Sequence, residues 1–134
     1  MNGDELRLQL DCDSRAPSTA RQAVTEWLEA LGCSSERRHE LLLVVSKLVT
    51  NAVIHARSAS QVVATDRGRR VRVEVYDNDV NPPVVRAPED RDGPGGFGLN
   101  MVAAVSDRWG WEPTATGKRV WAEARYCPHG HPAP

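Results

Sequence analysis

Between Leu41 and Ala56 the chain reads LLLVVSKLVTNAVIHA, with no glycine or proline and enough apolar residues to bury most of a helix's circumference. Leu41, Val44, Val45, Leu48, Ala52 and Val53 recur at helical spacing, which predicts a core helix. On it Lys47, Asn51 and His55 stand four residues apart in one polar row, with neighbours about 6 Å apart at the helical rise. Such a row is either the solvated side of the helix or the floor of a site. Solvated faces are the commoner of the two.

The rest of the pattern supplies layers for that helix. Leu6, Leu8 and Leu10 alternate with polar neighbours from Glu5 to Cys12, the period of a strand with one buried face. Asp13 or Ser14 as cap and Pro17 in the first turn predict a helix carrying Ala20, Val24, Trp27, Leu28 and Leu31, ended by Gly32. Ser34 or Ser35 then caps the central helix, with Glu36 near its positive end. Beyond Ser58 the period shortens: Gln61 to Thr65 and Arg70 to Tyr76 flank Asp66-Arg67-Gly68-Arg69 as a hairpin, and the second run ends at Asp77. The stretch from Asn78 to Gly95 holds four prolines and almost no periodicity, as in a lid. Gly96-Phe97-Gly98 leads into a helix through Leu99, Met101, Val102 and Val105. Arg108 to Glu112 and Lys118 to Arg125 close the chain as a second hairpin, with Trp109, Trp111 and Trp121 available for packing. Directly hairpinned strands pair antiparallel and leave the helices together on one face. The expected fold is therefore α+β, a two-layer sandwich of a mixed, mostly antiparallel sheet with helices on one face.

Composition narrows the class. The chain's 134 residues suffice for one domain, read as 1–127 with a disordered Pro-rich tail at 128–134. A net charge of −1 leaves no broad basic footprint for nucleic acid. No apolar run reaches the ~18 residues of a membrane helix, and the amino terminus lacks the regions of a signal peptide, so a cytoplasmic protein is expected. Three widely spaced cysteines argue against a disulfide framework. Cys127, His129 and His131 are three potential metal ligands in the tail, without a fourth, which favours no metal site there.

Candidate chemistry sits at three places: the polar row, Asp77 at a strand's carboxyl end, and the glycine turn opening a helix. A buried carboxylate needs a partner, and backbone N–H groups at a helix amino terminus bind phosphate. Singly, Asp77 also reads as a turn residue and the glycines as a tight connection. Together with VEVYDND, GGFGLNMV, DRWGW and GKRVWAE, however, SKLVTNAVIHA resembles the bacterial anti-sigma-factor serine kinases. These are stand-alone members of the GHKL, histidine-kinase-like ATPase superfamily with the Bergerat fold, and the resemblance runs from about Leu6 to Arg125.

That resemblance implies a set of roles. Asn51 would ligate Mg²⁺, His55 would face the phosphates of ATP, and Asp77 would accept from the adenine amino group. Gly96 and Gly98 would let backbone approach the phosphates, with Asn78 to Gly95 closing over them. Partners would be a sigma factor and/or an anti-anti-sigma antagonist, with a homodimer possible. Active members carry a glutamate as general base where Lys47 stands here, and an ammonium cannot accept a proton, though it can pair with phosphate. Arg119 stands where a threonine near the base is expected, and Asp77-Asn78-Asp79 replaces an Asp-x-Gly box. Two readings follow: an ATP-binding regulatory domain working through protein contacts, or an active serine/threonine kinase acting on an antagonist.

Overall fold

A computed structural model of the chain describes residues 5–83 and 98–126. The elements run β1 (Glu5–Leu10), α1 (Ala16–Ala30), α2 (Ser35–Asn51), a π-helical turn (Ala52–Ala56), β2 (Ser60–Asp66) and β3 (Arg70–Asp77). They continue with α3 (Gly98–Val105), β4 (Arg108–Pro113) and β5 (Lys118–Arg125). The strands form one five-stranded sheet in the order β1-β2-β3-β5-β4. Every pairing among them is antiparallel, so the parallel component of the expected mixed sheet is not found among the described strands.

Strand register explains which side is core. Leu8 pairs with Val62, Val62 with Val75, and Val75 with Val120, so one face of the sheet carries an aliphatic row across four strands. Against it α2 buries Leu41, Val44, Val45, Leu48 and Val49, each side chain contributing about 1.5–3 kcal/mol when fully buried. The central helix lies in the middle of the helical layer, with α1 on one flank and α3 on the other. Trp27 is core, and His39 is exposed.

Local signals account for most boundaries. Ser34 caps α2 by accepting from Arg37 N, and Glu36 lies in the first turn. Gly68 adopts the left-handed conformation the β2–β3 turn requires, φ +79°. Two details depart from expectation. Asp13 accepts from Arg15 N ahead of α1, whose N-cap is Arg15, so neither Asp13 nor Ser14 caps that helix. The central helix does not stay α-helical to Ala56 but widens into the π turn, ending at Arg57 with φ 52°. A non-glycine residue held there is strained, and such bulges favour functional sites.

The opposite face of the sheet is a layer of paired charge and aromatic rings. Arg72 bridges Glu74 and the buried Glu123 at 2.9 and 2.8 Å and lies over Trp121, 4.1 Å from the ring centre. Burial alone would raise the Glu123 carboxyl's pKa. Hydrogen bonds from Arg108 and Arg72 outweigh it and hold the group below the usual glutamate range. Arg119 belongs to this layer, bonded to Tyr76 and Glu112. Trp109, by contrast, packs against the core side, so the three late tryptophans do not share a face.

Candidate functional site

The carboxyl end of β3, the start of β5 and the π turn meet at one end of the two layers, and a cleft of about 230 Å³ opens between them. Leu48, Val75 and Val120 give it apolar walls from α2, β3 and β5. Asn51 and His55 enter from the helical side, Asp77 and Lys118 from the sheet, and Asp79, Asn81, Pro82 and Pro83 from the loop after β3. Asn51 and Asp77, far apart in the chain, therefore share a cavity. Lys47 sits half-buried one turn earlier on α2 and is not among the described residues lining the cleft. Gly98 opens α3, which packs on α2. Gly96 and the lid from residue 84 onward lie outside the described residues, as do Cys127, His129 and His131.

Asp77 is only 6% exposed, and its partner is Lys118, 5% exposed on the neighbouring strand. The Lys118 ammonium donates to Asp77 Oδ1 at 3.2 Å and to the Asp79 carbonyl at 3.4 Å, with the Asp79 carboxylate 3.7 Å away. Asp77 Oδ1 also accepts from Asp79 N at 2.9 Å. Asp77 Oδ2 takes no hydrogen bond from the described residues, nor do the side chains of Asn51 and His55. Asp79 in turn is held by Asn81, whose backbone hydrogen bond is the main cause of a pKa below the usual carboxylate value.

Two backbone contacts fix this corner. Asn78 N donates to Ser58 Oγ at 3.1 Å, tying the end of β3 to the end of the π turn. Gly117, just before Lys118, packs directly on the Asp77–Asn78 backbone. A Cβ placed there would lie 2.6 Å from Asn78 Cα, well inside any real contact distance. Gly117→Ala must therefore push the Asp77 turn aside. Overpacking of this kind costs about 1–3 kcal/mol, so the urea midpoint should fall, and the displaced backbone carries Asp77 away from Lys118.

Lys118 carries no site expectation from the sequence, and Arg119, expected near the base, lies elsewhere. Arg119 pairs with Tyr76 in register and faces the other side of the sheet, whereas Lys118 pairs with Asp77 and faces the cleft. The signal was present: Lys118 is in phase with Val120, Ala122 and Ala124, and one residue's shift along a strand exchanges the faces.

An antiparallel sheet with its helices on one face, and a polar-floored cleft between the central helix and the sheet, define an α+β two-layer sandwich. The histidine kinase-like ATPase domain family matches residues 11–123, and the chain belongs to it. A serine-protein kinase RsbW from Oceanobacillus iheyensis is 24% identical over 122 residues, 79% of this chain and 77% of the relative. Among solved structures, the RsbU and RsbW domains of a Mycobacterium tuberculosis protein superpose with a TM-score of 0.70 at 23% identity. That match covers 91% of this chain, which spans 32% of the solved one. No helix among the described residues is long and apolar enough to cross a membrane.

Proposed function

We propose that the chain is a cytoplasmic regulatory domain that binds ATP with Mg²⁺ in this cleft and acts by contacting a sigma factor and/or its antagonist protein. The observation that carries the reading is the convergence of Asn51, His55 and Asp77 on one cavity, with the side chains of Asn51 and His55 and the Oδ2 of Asp77 unspent on the described residues. The donor set fits the group. Asn51 offers a neutral oxygen of the kind Mg²⁺ takes alongside phosphate and water, and Asp77 Oδ2 offers an acceptor for an adenine amino group. Bound magnesium supplies neutralisation of phosphate charge. The cleft's volume, about 230 Å³, is below the ~300–1,000 Å³ of complete small-molecule sites. It takes the base end and leaves the phosphates to the surface near His55 and the start of α3.

Lys47 shapes the rest of the proposal. At the position where a general base would stand, its ammonium gives phosphate a counter-charge and no proton acceptor. The domain then holds nucleotide and partners without efficient transfer. The kinase reading is kept in view by the serine-protein kinase relative, and transfer assays separate the two.

The test of nucleotide binding is calorimetry and thermal unfolding with ATP and Mg²⁺. Ligand at about ten times Kd adds roughly 1.4 kcal/mol by linkage, a rise of about 5 °C for a domain of this size. Asn51→Ala should lose both the heat and the Mg²⁺-dependent rise. Absence of heat and of stabilisation in the unmodified chain would reject the reading.

A further inference from the structure

We infer that Lys118 reads the base: its ammonium donates to a ring nitrogen of the nucleotide whose amino group Asp77 accepts. The inference rests on the nucleotide reading above and assigns a specificity determinant within that site.

An ammonium has three N–H bonds. Lys118 places one on Asp77 Oδ1 and one on the Asp79 carbonyl, while the Asp79 carboxylate at 3.7 Å lies beyond hydrogen-bond length. The third N–H is met among the described residues only by that longer ion-pair contact to the Asp79 carboxylate, on a side chain only 6% exposed that lines the cleft. Beside it, Asp77 has the unused acceptor Oδ2. The sheet thus presents a donor and an acceptor side by side, anchored on paired strands and held by each other.

Adenine's outer edge is the complement: the exocyclic amino group is a donor and the adjacent ring N1 an acceptor. With the amino group on Asp77, N1 faces Lys118. Guanine in the same pose would set a carbonyl oxygen against the carboxylate and an N1–H against the ammonium, so both contacts would be repulsive. A charged donor this little exposed is costly to set against a group that cannot accept, which is what makes such a pair discriminate. The ammonium therefore has two tasks. It fixes Asp77 and Asp79 in place, and it supplies the second point of base recognition.

The experiment compares ATP with 1-deaza-ATP, in which a C–H replaces N1, on the unmodified full chain and on Lys118→Met. Loss of one charge-assisted hydrogen bond predicts affinity about ten- to a hundredfold weaker for 1-deaza-ATP on the unmodified chain. On Lys118→Met the two nucleotides should bind alike. A purely structural lysine would weaken both nucleotides equally and preserve their ratio, which overturns the inference while leaving ATP binding intact. Equal affinity of the unmodified chain for the two overturns it as well, and that comparison stands even if the methionine variant does not fold. If the unmodified chain binds neither, the nucleotide reading itself fails.

Discussion

Lys47→Glu is expected to raise phosphoryl transfer from ATP to a serine-bearing antagonist protein by on the order of 10²–10⁴-fold, the usual contribution of a general base. Lys47 lies one helical turn before Asn51, close to where transferable phosphate would sit if Asn51 holds the metal. A carboxylate there could take the proton of an attacking hydroxyl; an ammonium cannot. No other group on α2 substitutes for it, because Glu40 is two turns away and is engaged by Arg37. Lys47 makes no hydrogen bond or ion pair with the described residues, so replacing it breaks no such contact. Its absence from the base-end lining is compatible with the role, since a base must reach the attacking hydroxyl and not the purine. The control is Lys47→Gln, which removes the charge without supplying a base. Transfer of labelled phosphate is the readout, with nucleotide affinity measured alongside. If Lys47→Glu transfers no faster than Lys47→Gln, or the unmodified chain already transfers efficiently, position 47 is not what limits the chemistry.

Much of the architecture was legible because it depends on periodicity. Leu6, Leu8 and Leu10, Val71, Val73 and Val75, and the apolar stripe of α2 each need one particular period to bury their face, and each folds with that period. Ser34 and Gly68 mark boundaries for equally local reasons. What could not be read depends on distant neighbours. The π turn at Ala52–Ala56, which lies against β3, has no signature of composition. Nor did local signals decide Asp13, which bonds a nearer backbone N–H instead of capping α1. Asp77's need for a partner was legible, but the partner was not, because it is set by the β3–β5 register. The same register moves Arg119 to the far face, into a hydrogen bond to Tyr76 and ion pairs with Glu74 and Glu112. Asn51, His55 and Asp77 could be nominated from residue type and order, but only the fold puts them on one cavity.

Asp77→Ala is expected to abolish nucleotide binding and to lower stability by about 3–5 kcal/mol, the cost of removing one member of a buried ion pair. Both effects follow from the same atoms. The carboxylate is the acceptor proposed for the base, and it is also the counter-charge of an ammonium enclosed between β3 and β5. With the aspartate gone, Lys118 keeps only the Asp79 carbonyl and a carboxylate 3.7 Å away, in a place water hardly reaches. A cycle of Asp77→Ala, Lys118→Met and the double variant, followed by urea denaturation, separates the two effects. Removing both charges leaves neither to be stranded, so the double variant should be markedly more stable than the sum of the single losses predicts. It should still bind no ATP, because stability is recovered without the acceptor. Additive losses would mean that the pair is not coupled, and a fully stable Asp77→Ala would mean that the ammonium escapes to solvent at no cost. ATP binding that survives in the double variant would place the base somewhere other than against β3.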